Sequence, residues 1–187
     1  MQNISTRGLQ SCAAGIVFIA AMSAGSTPVF ADKIQTAGEI LRIALPVAAG
    51  AWSLYQQDYD GTLQLVVSEV LAEGVSFGLS HIIRERRPNG ADFHSFPSDS
   101  AAVAFSAASY LQIRYGWDYG LPAYALAAFV GYSRVEAKQH HWQDVIAGAA
   151  IGWGASELTT VRYNKFAITA YPGFQGNPMG LTLVASW

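Results

Sequence analysis

Between residues 40 and 158 the chain is a succession of five apolar runs, each closed by a polar cluster, a proline or a glycine, and each reads as a helix. Ile40 to Tyr55 is interrupted only by Arg42, Pro46 and Ser53, which predicts a helix kinked near the proline and closed by Gln56-Gln57-Asp58-Tyr59-Asp60-Gly61. Leu63 to Ile83 is a second helix, in which Glu69, Glu73, Ser76 and Ser80 recur at three- and four-residue steps and share one polar face. Ala101 to Ile113 follows Pro97-Ser98-Asp99-Ser100, where three successive side chains are able to accept hydrogen bonds from the free amides of a helix start. Leu121 to Tyr132, opened by Pro122, is a fourth. Trp142 to Leu158 is a fifth, with Ala147, Gly148, Ala149, Ala150, Gly152 and Gly154 allowing close helix contact. The tail changes character: Phe166 to Tyr171 and Gly180 to Trp187 are β-prone and predict a short C-terminal β-hairpin.

The first 31 residues carry Arg7 as their only charge, an apolar stretch from Cys12 to Ala24, and small residues before Asp32, the pattern of a signal peptide over residues 1–31. The remaining 32–187 form one domain, long enough to bury a single core. Cys12 is the sole cysteine, so a chain cut after Ala31 has no disulfide, thiolate metal site or cysteine nucleophile. Of eleven basic residues one lies in the leader, against thirteen acidic ones all beyond it, which leaves no basic field for nucleic acid. Charged residues make up 13% of the chain and hydrophobic ones 51%, a balance of membrane proteins or of an unusually apolar bundle. The aromatics Tyr110, Tyr115, Trp117, Tyr119 and Tyr124 fit a membrane-interface belt.

Three clusters carry chemistry. Ser133-Arg134 is followed after five residues by His140 and after three more by Asp144, which sets an imidazole and a carboxylate one helical turn apart with a guanidinium upstream. Arg87 and Arg134 each offer a planar fork for two oxygens of a phosphate, and Ser98 with the helix start behind it adds neutral donors. Phosphoryl transfer needs these parts: an in-line nucleophile and donors around the equatorial oxygens. His140, His141 and Asp144 lack a further ligand at a helical repeat, so no metal and no cofactor is expected. Glu69 and Glu73 read as partners of Arg42 or Arg84, or as a solvated stripe.

The pattern resembles the type 2 phosphatidic acid phosphatase family, related to vanadium haloperoxidases, whose motifs are K-x6-R-P, P-S-G-H and S-R-x5-H-x3-D. The third is complete from Ser133 to Asp144; Pro97-Ser98 and Arg87-Pro88 keep the core of the others, while Ser80 stands for Lys, Asp99 for Gly and Ser100 for His. The resemblance covers Leu63 to Leu158 and implies an all-α bundle of five to six helices with the site in loops at one end. It implies that His140 is a phosphohistidine nucleophile, Asp144 its partner, and Arg87, Ser98 and Arg134 the phosphate ligands. The family's general acid has no direct heir, because Ser100 cannot donate a proton as an imidazole does; His81, His94 and His141 are the other imidazoles at hand. Arg84, one turn after Ser80, is a substitute for the lost Lys, and Asp99 is expected to cap its helix or pair with an arginine. The resulting expectation is an exported, periplasmic or envelope-associated hydrolase of a lipid phosphate or diphosphate. The alternative is a non-catalytic relative that binds phosphorylated headgroups or serves the envelope structurally.

Overall fold

The computed structural model describes residues 28–163 and the backbone of 165–171 and 180–186. Five helices make an all-α bundle: α1 Pro28–Tyr55, α2 Tyr59–Ile82, α3 Asp99–Tyr115, α4 Trp117–Glu136 and α5 Trp142–Thr159. The leader expected over residues 1–31 lies outside the described residues up to residue 27, and Pro28 to Ala31 form the first turn of α1. That helix begins twelve residues ahead of Ile40. Pro28 to Ala31 fall within the expected leader and Asp32 to Glu39 are mostly polar, but Thr36 bonds the Asp32 carbonyl and Gln35 bonds Glu39, each four residues apart and each at 3.0 Å. The helix runs on through Pro46. Two strands, Lys165–Tyr171 and Gly180–Ser186, stand in antiparallel register at the chain's end; the residues between them lie outside the description, so the hairpin as a unit stays an expectation.

The short helix α3 is the axis, in contact with all four others. Its Ala101, Ala102, Ala104, Ala107 and Ala108 are fully buried, as a helix apolar on every side must be. Small residues set the spacing. A Cβ added at Gly148 or Gly152 would fall 2.3 Å from the Ser98 carbonyl oxygen or 2.1 Å from that of Ala102, so α5 lies backbone to backbone on α3. A Cβ at Gly38 would meet Ser133, which seats the start of α1 on the end of α4.

Successive helices alternate in direction, and this collects chemistry at one end. At the far end Asp58 caps α2 by accepting from the Gly61 amide at 2.9 Å and receives the Arg114 guanidinium at 2.6 and 2.8 Å and the Tyr115 hydroxyl at 2.8 Å. Tyr110 is buried and Tyr115 belongs to this network, so the expected aromatic belt reduces to Trp117 and Tyr119, 62% and 40% exposed. Apolar side chains also cover the outside of α2, among them Leu63, Val66, Val67, Val70 and Phe77. Among the described residues α2 is the one helix long and apolar enough to cross a membrane.

Candidate active site

The end opposite Asp58 gathers the starts of α1, α3 and α5 and the ends of α2 and α4. The loop from Ile83 to Ser98 is held flat across it by its own backbone: the Ser95 amide donates to the Glu85 carbonyl at 3.0 Å, and the Arg87 amide to that of Asp92 at 3.0 Å. The Asn89 amide donates to the Lys138 carbonyl at 2.9 Å, tying this loop to the one between α4 and α5.

His140 ends that second loop, 98% buried, with Nδ1 2.6 Å from the carbonyl oxygen of Ser95. A carbonyl only accepts, so Nδ1 carries the hydrogen and Nε2 keeps its lone pair. Burial pushes the His140 pKa below its ordinary value, with the Arg87 charge adding to the effect and the Ser95 bond, Asp99 and Asp144 opposing it. The expectation that Asp144 accepts directly from this ring is corrected: its Oδ2 lies 3.9 Å from Nδ1. Asp144 instead accepts from the Ser95 hydroxyl at 2.5 Å and from the His141 amide at 2.7 Å, and so holds the residue that holds His140. Its place at the third position of α5 explains this, because a carboxylate there reaches back to the capping residue's amide.

Ser98 is the N-cap of α3, fully buried, accepting from the Ala101 amide at 3.4 Å, and its hydroxyl hydrogen remains available as a donor. Arg134 is 98% buried, with three of its N–H donors on Ser133 Oγ, Gln139 Oε1 and the Gln35 carbonyl at 3.2, 3.1 and 2.9 Å. Arg87 spends Nε on Asp92 at 2.8 Å and turns into a cavity of about 310 Å³. Ser80, His81, His94 and Asp99 line the same cavity, together with Glu73 and Ser76 of the polar face of α2.

Asp99 is the hub. One oxygen lies 3.9 Å from His140 Nε2 and the other 3.4 Å from Arg42 Nη1. The capping role goes to Ser98, and the arginine pair is made with Arg42. Arg42 also donates to Ser100 Oγ at 3.0 Å, so a guanidinium from α1 stands against the position where the motif has its second histidine. This departs from the expected pairing of Arg42 with Glu69 or Glu73, and Arg84, the expected substitute for Lys, is exposed. Sequence reading missed Arg42 because it lies 45 residues ahead of Arg87 with no motif linking them; the signal it does give is a lone charge one turn after Gly38, inside an otherwise apolar run. Behind the site Glu85, His141 and Asp144 bring three potential ligand atoms within 4.8 Å of one another; Gln143 donates to Glu85 at 2.7 Å and Asp144 Oδ2 accepts twice, while Asp144 Oδ1 and His141 Nδ1 make no hydrogen bond.

A buried imidazole with Nδ1 fixed on the Ser95 carbonyl, near the Arg87 charge and an Asp99 that pairs with Arg42, has parts that a reaction at a tetrahedral anion needs. The chain belongs to the PAP2 superfamily, whose model matches residues 55–167. It is 35% identical over 150 residues to the lipid A 4'-phosphatase of Helicobacter pylori, covering 74% of this chain and 75% of that protein. It is 32% identical over 103 residues to the lipid A 1-phosphatase of Porphyromonas gingivalis, covering 51% of this chain and 23% of that protein. The fold is shared with the crystal structure of Aquifex aeolicus LpxE, at a TM-score of 0.64 and 18% identity over 77% of this chain and 93% of that one. It is also shared with the transmembrane PAP2 type phosphatidylglycerolphosphate phosphatase from Bacillus subtilis, at a TM-score of 0.52 and 24% identity over 83% and 86%.

Proposed function

We propose that the chain is a membrane-associated lipid phosphatase that works through a phosphohistidine on His140, with a phosphorylated glycolipid as the leading substrate. The observation that carries it is the 2.6 Å bond from His140 Nδ1 to the Ser95 carbonyl, which leaves the Nε2 lone pair of a buried ring available, 3.9 Å from the Asp99 that pairs with Arg42. Nε2 attacks phosphorus, the bond to the lipid oxygen breaks, and water then displaces the phosphate from the imidazole. Arg42, Arg87, Arg134 and Ser98 neutralise the equatorial oxygens, and the N-terminal ends of α3 and α5 add their dipoles. The names of both relatives, each a lipid A phosphatase, support the substrate class. The aliphatic outer face of α2 supports membrane association. Removal of residues 1–31 and export to the envelope complete the reading.

Asp99 favours a second reading. Its carboxylate stands beside Nε2 and pairs with Arg42, where a phosphate would sit, as in a protein that binds phosphorylated headgroups without turnover. One experiment separates the two. The protein purified in detergent is offered phosphatidate, a prenyl diphosphate and a phosphorylated glycolipid, and phosphate release is compared with His140→Ala. Release that vanishes in the variant is expected; equal rates, or retained binding with no release, overturn the enzyme.

A further inference from the structure

The proposed chemistry leaves one proton to be supplied. The lipid oxygen departs as an alkoxide, and Ser100, bonded by Arg42, has no acid to offer near neutrality. His94 is placed for it. It lines the cavity with Arg87 and Asp99, and Asp99 is the residue that reaches to 3.9 Å from His140 Nε2. It is also the neighbour of Ser95, so the stretch of backbone that fixes the nucleophile fixes this imidazole as well. The His94 amide donates to Asp92 Oδ1 at 2.9 Å, and the same oxygen lies 3.9 Å from its Nδ1. Arg87 holds that Asp92 from the other side at 2.8 Å. The His81 ring stands 4.9 Å from the His94 ring and 4.2 Å from Phe77, with its Nδ1 2.9 Å from the Phe77 carbonyl. His141, its Nδ1 3.4 Å from both Glu85 and Asp144, does not line that cavity.

Building on the phosphohistidine reading above, we propose that His94 is the general acid of this site, taking over from the motif histidine that Ser100 replaces, and that His81 is a positioning residue stacked against it. As the bond from His140 Nε2 to phosphorus forms and the phosphorus–oxygen bond breaks, the His94 proton moves to the leaving oxygen and the lipid departs as an alcohol. In the second step neutral His94 takes a proton from the attacking water. The phosphorus–nitrogen bond breaks, Nε2 recovers its lone pair, and inorganic phosphate leaves.

Leaving-group dependence tests this. p-Nitrophenyl phosphate releases an anion that needs no proton, whereas phosphatidate releases an alkoxide that does. His94→Gln is expected to lose about 10²- to 10⁴-fold in kcat/KM on phosphatidate, which reports the first step alone, and only a few-fold in kcat/KM on p-nitrophenyl phosphate, whose retained reaction also reports a folded site. His81→Ala, which removes the stacked ring, is expected to lower kcat/KM on phosphatidate several-fold, and His81→Phe, which restores a ring, to recover most of that loss. Equal loss on the two substrates in His94→Gln, or no loss, overturns the assignment of the acid. A wild type silent on both substrates, or matched by His140→Ala, overturns the phosphohistidine reading instead.

Discussion

At the scale of single residues, the site turns on how His140 is kept neutral. Burial disfavours the imidazolium, so the folded pKa lies below the ordinary 6.5, despite the carboxylates of Asp99 and Asp144 nearby. The sign follows from linkage. Below 6.5 the unfolded chain takes up a proton that the folded one refuses, so this histidine's contribution to stability is complete above 6.5 and is lost as the pH falls through the folded value. The same shift keeps the nucleophile in its reactive form on the acid side of neutrality. The acid limb of kcat/KM on p-nitrophenyl phosphate, a substrate that does not need the leaving-group acid, is therefore expected below 6.5. A limb at or above that value would mean that the ring is solvated, not buried. Asp144 acts at one remove, through the Ser95 hydroxyl, and its spacing in the motif reflects helix capping as much as chemistry.

At the scale of elements, helix existence was legible and helix function was partly so. All five apolar runs are helices, and the starts read at Ser98 and Trp142 are found where the caps put them. The first turns of α1 were invisible because Val29-Phe30-Ala31 read as the end of a leader and Asp32 to Glu39 are mostly polar, and Arg42 was invisible as a site residue because convergence in space leaves no mark on spacing. The small residues of α5 were legible as a packing stripe, but not which of them touch. Gly152 would place a Cβ 2.1 Å from the Ala102 carbonyl, whereas Gly154, two residues on, meets nothing within 4 Å. Opposite outcomes follow for the same substitution. Gly152→Ala forces α5 off α3 and is expected to destabilise by about 1–3 kcal/mol; Gly154→Ala gains helix propensity and is expected to be neutral or stabilising by up to about 1 kcal/mol. Melting temperatures in detergent check the pair, and equal effects would mean that the α3–α5 contact is looser than the backbone spacing states.

At the scale of the whole molecule, the two ends of the bundle do different work. One end collects half-exposed charges around a cavity, among them Asp99, whose pair with Arg42 leaves the two side chains 42% and 31% exposed. The other closes on a buried pair, Asp58 and Arg114, whose side chains are 3% and 6% exposed. Only the second pair has every neighbour it needs: the Gly61 amide and Tyr115 hydroxyl for the carboxylate, the Val161 carbonyl at 2.7 Å for the guanidinium. Removing one partner there leaves a desolvated charge with nothing opposite it, which is worth about 3–5 kcal/mol. Because Glu73, the first α2 residue on the cavity, comes fifteen residues after Asp58 and a helix rises about 1.5 Å per residue, the lesion lies about 20 Å from the cavity. Asp58→Asn is therefore expected to lower the melting temperature sharply while the kcat of the protein that remains folded stays at the wild-type value. A fall in kcat without a fall in stability would mean that the far end is coupled to the site, and that the bundle does not hold its two ends independently.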